Sequence, residues 1–141
     1  GVDTLKALAY NIPIEGFVLS PVLDAQKGNY YQALYQWQEG KLVELADTEV
    51  VNKERLLERI AEYNLPALIL GECKKLEKLE LPNGVKLAPK TLLMPKASSV
   101  AFIAEQEFDP EADKKIFGLE PYYIRRSEAE ELWEQRQQKQ Q

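Results

Sequence analysis

The chain has 141 residues, with 18 Lys and Arg, 23 Asp and Glu, one cysteine, no histidine and a net charge of −5. Without histidine it can form neither a Ser–His nor a Cys–His nucleophile pair, nor a zinc site with imidazole ligands. One cysteine excludes a disulfide framework within the chain, and the acidic balance argues against direct binding to nucleic acid.

The first half of the chain predicts a helix followed by a three-stranded meander. Asp3 is a suitable N-cap for the helix, and a nearly continuous apolar run then predicts a strand buried on both faces. Pro21 lies in that run and favours an edge position or a bulge, because proline cannot donate to a ladder. The predicted elements are a helix ending near Asn11 and strands over residues 17–23, 29–37 and 41–46.

Alternation in the second predicted strand puts Tyr31, Tyr35 and Trp37 on one face. Such an aromatic stripe is either a binding platform or a core face. We favour the core, and expect these rings to pack under the apolar stripe of the next helix, which includes Leu56 and Ile60.

The second half of the chain predicts two further helices, three short strands and a C-terminal helix. A turn at residues 82–84 is expected to join two of the strands into a hairpin, and Ser127 with Glu130 forms a capping-box pattern. A β-β-β-α-β-α core is typical of one ribonuclease H-like lobe, an α/β fold, with a generic α+β domain as the alternative. The predicted elements are helices over residues 52–63 and 97–106, strands over residues 67–70, 76–81 and 85–88, and the helix from Ser127.

The turn between the first two strands is the first candidate site. In actin-like and Hsp70-like ATPases, an Asp-turn-Gly hairpin of this kind presents backbone N–H groups to a nucleotide phosphate. Here Asp24, Lys27 and Gly28 occupy the turn, which has only one glycine, so its amides cannot crowd a phosphate in the usual way. We expect a vestigial phosphate loop in which Asp24 caps the turn and no cofactor, metal or catalytic residue is present.

Three segments of the sequence together point to a known family: VDTLKALA at 2–9, DAQKGNYY at 24–31, and PYYIRR at 121–126 followed by SEAE. They resemble segments of the TsaB (YeaZ-like) family, a branch of the actin/Hsp70/sugar-kinase superfamily. The resemblance implies a cytoplasmic, non-catalytic scaffold subunit without peptidase activity. Its partners would be a TsaD-type transferase and a TsaE-type ATPase, which together make N6-threonylcarbamoyladenosine in tRNA.

The resemblance also implies a domain arrangement. Residues 1–13 would be an interlobe helix, residues 14–136 the C-terminal ribonuclease H-like lobe and residues 137–141 a disordered tail, with the N-terminal lobe absent. Without that lobe, Leu132 and Trp133 would lose cover, which predicts a homodimer or another self-associated form.

Arg125 and Arg126 are the candidate partner-binding residues. They come just before the predicted C-terminal helix, where two guanidinium groups could hold carboxylates or phosphates of a partner. The alternative is that one of them pairs with Glu128 or with the acidic segment 109–113.

The alternative function is an ATP-using enzyme of the same superfamily, in which Asp24 orients a magnesium-bound water. Such enzymes bind phosphate from both lobes, so a chain with a single lobe favours the scaffold. We expect no membrane association, because the sequence has no apolar run of about 20 residues.

Overall fold

The computed structural model describes residues 1–110 and Ile124. The predicted helix from Ser127 and the pair Arg125 and Arg126 lie outside the described residues. The described elements are α1 (Thr4–Tyr10), β1 (Val18–Asp24), β2 (Tyr30–Gln38), β3 (Lys41–Val51), α2 (Lys53–Ala61), β4 (Ala67–Gly71), β5 (Val85–Leu87), a 3-10 helix (Lys90–Leu92) and α3 (Ala97–Gln106).

One mixed sheet organises these elements, in the strand order β3-β2-β1-β4-β5. Antiparallel pairing joins β1 to β2 and β2 to β3, which confirms the predicted meander. Parallel pairing joins β1 to β4 and β4 to β5. This is the predicted ribonuclease H-like α/β class. No helix in the described ranges is both long and apolar enough to cross a bilayer.

Pro21 lies in the middle strand of the sheet, so the predicted edge position is wrong. It pairs with Leu70 in the parallel ladder to β4, which continues through Val22 and Gly71. In the antiparallel ladder between β1 and β2, Leu19 pairs with Tyr35 and the next pair is Val22 with Gln32. Pro21 lies in the interval between these pairs. The strand therefore tolerates the missing N–H because only its ladder to β2 is interrupted.

The predicted hairpin of residues 76–81 and 85–88 is also wrong. Leu76 donates its N–H to the Cys73 carbonyl at 2.8 Å, and Leu79 donates to Leu76 at 3.0 Å. These bonds between residues three apart make turns rather than a strand, and Leu76 is buried. β5 instead pairs in parallel with β4.

The two faces of the sheet carry separate cores. Tyr30 and Leu34 pack with Leu56 and Ile60 of α2 on one face. On the other face, Tyr35 and Trp37 pack with apolar residues of α1, so the predicted contact between the aromatic stripe and α2 is wrong. The alternation of side chains along β2 assigned its residues to the two faces correctly. It could not indicate which of the two helices, α1 or α2, covers which face, because that depends on contacts distant in sequence.

A buried arginine on α2 stabilises the pairing of β2 with β3, whose register shifts after Gln32. Arg59, only 3% exposed, donates from Nη1 to the Gln32 carbonyl at 3.0 Å and from Nη2 to the Asp47 carbonyl at 2.7 Å. The Gln32 amide in turn donates to Ser20 Oγ at 2.9 Å. The buried Arg59 and Gln32 side chains thus both have hydrogen-bond partners at the irregular part of the ladder.

Gly71 ends β4 at a point of close backbone approach. Its φ is +95°, and a Cβ built on it would lie 2.3 Å from the Val22 carbonyl oxygen. Glu72 donates its N–H to that same oxygen at 2.9 Å. Only glycine fits this position without moving the backbone of β1.

We expect Gly71→Ala to lower the free energy of unfolding more than Gly40→Ala does. Both glycines have a positive φ, but a Cβ at Gly40 meets no atom within 4 Å. The excess at Gly71 therefore measures steric crowding, about 1–3 kcal/mol. Urea unfolding of the two variants gives the comparison, and equal losses would show that the close approach relaxes without cost.

We expect Arg59→Met to lower the free energy of unfolding by at least about 2 kcal/mol, because each buried acceptor left without a donor costs about 1–3 kcal/mol. Arg55→Met is the matched control, since Arg55 lies on the same helix and, among the described residues, its side chain pairs with exposed Glu58 and Glu62. Similar stability of the two variants in urea unfolding would contradict a structural role for the Arg59 contacts.

Candidate functional site

The candidate phosphate-loop residues lie where β1 ends and the turn to β2 begins. Because β1 and β4 are parallel, the residues that follow each strand meet at the same edge of the sheet. Asp24 thus lies beside Glu72 and Lys75, which follow β4. We call Asp24, Glu72, Lys75 and the turn 25–29 the hairpin site.

Three hydrogen bonds fix Asp24. Its Oδ2 accepts from Lys75 Nζ at 2.6 Å, and its Oδ1 accepts from the Gln26 N–H at 3.0 Å. Its own N–H donates to Glu72 Oε2 at 2.7 Å. The carboxylate therefore caps the turn and holds an ammonium group at the same time.

The charged forms of Asp24 and Lys75 stabilise each other. The hydrogen bond from Lys75, followed by that from Gln26, lowers the pKa of Asp24 below its ordinary value. The same contact raises the pKa of Lys75. Both side chains are more than a third exposed, so solvent screening keeps their contribution to stability small.

The turn uses much of its own hydrogen-bonding capacity. Gln26, Lys27 and Gly28 all have a positive φ, of 64°, 51° and 82°. Ala25 donates its N–H to the Asn29 carbonyl, and Asn29 donates to the Gln26 carbonyl, each at 2.9 Å. Together with the Gln26 N–H that Asp24 accepts, these amides are not available to a phosphate.

The neighbouring thiol is buried. Cys73 is 1% exposed, and burial is the main cause that raises its pKa, so little nucleophilic thiolate forms at neutral pH. Within residues 1–110 and Ile124, no three Asp, Glu, Cys or His side chains are grouped closely enough to hold a metal ion.

Sequence reasoning missed Glu72 and Lys75, although both follow the predicted end of β4. The parallel neighbour of β1 was the missing information, because carboxyl ends of adjacent parallel strands share one edge. Arg125 and Arg126 lie outside the described residues, so the structure does not place them.

We expect Asp24→Asn to lower the melting temperature slightly at neutral pH, because Asn keeps the turn-capping oxygen but loses the ion pair. Because folding lowers the pKa of Asp24, its carboxylate stabilises the fold fully when the pH is above the ordinary pKa of the group. This stabilisation is lost as the pH falls through the folded-state pKa. The raised pKa of Lys75 means that its contribution is lost only as alkaline pH rises through its folded-state pKa. Melting curves of variant and wild type should therefore differ most between about pH 5 and pH 9 and converge in acid. A difference that persists in acid would show that Asn disturbs the turn itself.

Comparison with known proteins places these features in context. A search of protein-family models found no match. The chain is 32% identical over 136 residues to the tRNA threonylcarbamoyladenosine biosynthesis protein TsaB of Bacillus subtilis (strain 168), which covers 94% of this chain and 58% of that protein. It thus spans less than two thirds of the curated relative.

The fold is similar to that of an uncharacterized protein with similarity to peptidase YEAZ from Pseudomonas aeruginosa, known from a crystal structure. The TM-score is 0.61 with 21% sequence identity, over 88% of this chain and 57% of that one. This likeness concerns the fold alone. The sequence and the fold of this chain are both similar to TsaB/YeaZ-like proteins, over somewhat more than half of their length, as the resemblance predicts.

Proposed function

We propose that the chain is part of a non-catalytic scaffold subunit in the biosynthesis of threonylcarbamoyladenosine in tRNA. It would act in the cytoplasm by binding a TsaD-type transferase that works with a TsaE-type ATPase. The observation that carries the proposal is the 32% identity to TsaB over 94% of this chain.

The hairpin site supports a scaffold rather than an ATP-using enzyme. An enzyme of that kind needs a carboxylate to orient a magnesium-bound water and amides to hold a phosphate. Asp24 is instead engaged by Lys75 and Gln26. The Glu72 carboxylate accepts a hydrogen bond from the Asp24 N–H and adds negative charge to the hairpin site, which disfavours an anion there.

We propose that Arg125 and Arg126 contact the transferase, and that α1 connects this lobe to a preceding one. α1 packs on the sheet through Leu5, Leu8 and Ala9. A helix held in this way would fix the orientation of a segment that precedes it, which is what a scaffold requires.

The test introduces Asp24→Asn into the full-length protein, in cells that depend on it for the modification. We expect threonylcarbamoyladenosine in tRNA, measured by mass spectrometry, to stay within about twofold of wild type, because no catalytic step involves Asp24. A loss of about 100-fold or more, the size expected when a catalytic group is removed, would favour the enzyme.

A second arm tests the partner. Arg125→Ala with Arg126→Ala should reduce co-purification of the full-length protein with the transferase, whereas Arg55→Ala on α2 should not. Unchanged co-purification would contradict the assignment of the arginines. The scaffold role would be contradicted if the modification were lost without the full-length protein although that protein binds no transferase.

A further inference from the structure

The outward side of α3 is apolar and exposed, a pattern that in a folded protein normally faces a neighbouring element. The apolar residues recur at the helical spacing i, i+3, i+4, i+7 and i+11. They are Ala97, Val100, Ala101, Ala104 and Phe108, and all of them are exposed. Phe108, just after the helix, is 70% exposed, and Phe102 beside the stripe is 55% exposed. We call the stripe together with Phe102 the α3 face.

The inner side of α3 is anchored, so the α3 face has to point outward. Ser99 and Ile103 are buried on the inner side. The Ser99 hydroxyl donates to Asn11 Oδ1 at 2.8 Å, and the Asn11 side-chain amide donates to the Met94 carbonyl at 2.8 Å. Rotating α3 to bury its apolar face would break these bonds to the end of α1. The α3 face therefore requires a cover that the described residues do not provide.

A later segment of the same chain has a complementary pattern. Residues 127–136, outside the described residues, begin with the predicted N-cap Ser127 and have Ala129, Leu132 and Trp133 at the spacing of one helix face. Leucine and tryptophan are large, whereas the centre of the α3 face consists of alanines. Large side chains on one helix and small ones on the other can interdigitate.

The connecting chain is long enough to bring the two together. Residues 111–126 can extend over at most about 55 Å, whereas the 10 residues of α3 are about 15 Å long. A flexible tether of this kind gives an effective concentration of about a millimolar. The tethered segment is thereby favoured over a second molecule as the cover.

The charges near the ends of α3 favour an antiparallel arrangement. Glu105 and Glu107 lie at the end of α3, and Lys96 precedes its start. Arg125 and Arg126 immediately precede the segment, so an antiparallel helix places them near the two carboxylates, whereas a parallel helix places them near the lysine. Because adjacent side chains point in different directions, one arginine remains available to a partner protein.

We propose that residues 127–136 form a helix that packs antiparallel on the α3 face, with Leu132 and Trp133 against its alanines. Both large side chains then have their cover within the chain, and self-association is not needed to bury them. This inference does not depend on the proposed role in tRNA modification.

The test records nuclear Overhauser contacts in the intact, isotopically labelled chain. We expect the Trp133 ring to contact the methyl groups of Ala97 and Ala101, and the Ala129 methyl group to contact the Phe108 ring. A sample that mixes labelled and unlabelled chains separates contacts within one molecule from contacts between two molecules.

Variants connect these contacts to the two surfaces. Ala101→Glu puts a charge at the centre of the α3 face and should abolish the Trp133 contacts, while the resonances of buried Ile103 show whether α3 remains folded. Leu132→Ser leaves α3 untouched and should abolish the same contacts. Ala61→Glu is the matched control, because Ala61 is exposed at the end of α2 and the same charge there should change none of them.

Four outcomes would overturn the proposal. The first two are the absence of contacts between the segment and the α3 face, and contacts that occur only between different molecules, which would assign the face to a second copy. The third is the reverse order of contacts, with Ala129 near Ala97, which would contradict the antiparallel arrangement. The fourth is an equal loss of contacts in Ala61→Glu, which would reduce the effect to net charge.

Discussion

The close approach of Gly71 to the Val22 carbonyl is the constraint on which the hairpin site depends. It lets the parallel pairing of β1 and β4 continue to the last residue of β4, after which the Glu72 N–H binds the same carbonyl. The chain then turns within hydrogen-bonding distance of Asp24. A side chain at Gly71 would separate the strand ends, and Glu72 and Lys75 would lose their positions beside Asp24.

The two helices that cover the sheet are attached by different interactions. α1 buries Leu5, Leu8 and Ala9 against apolar residues of β1, β2 and β4, so its attachment to the sheet is almost wholly apolar. α2 also contributes polar anchors: Arg59 binds carbonyls of β2 and β3, and Tyr63, just after α2, donates to the Leu45 carbonyl at 3.0 Å. An apolar face tolerates small displacements, whereas directed hydrogen bonds fix a helix relative to individual strand residues.

Local patterns predicted much of this fold. The cap at Asp3, the alternation of β2 and the limits of α3 all depend on residues near one another in sequence. The errors involve contacts that are distant in sequence. Pro21 is tolerated in a central strand because it keeps its place in the parallel ladder to β4. The proximity of Lys75 to Asp24 follows from the same parallel pair of strands. The sequence also did not predict the hydrogen bonds of Arg59, because an arginine in an amphipathic helix normally faces solvent.

The position of β3 at the outer edge of the sheet has a consequence for aggregation. Among the described residues, no strand pairs with the outer side of this eleven-residue strand, so its backbone groups there could pair with another polypeptide. Glu44, Asp47 and Glu49 are exposed along it, so a second copy docked there would bring carboxylates close together in low dielectric surroundings. The carboxylates of Glu44, Asp47 and Glu49 therefore discourage strand-to-strand association of the protein.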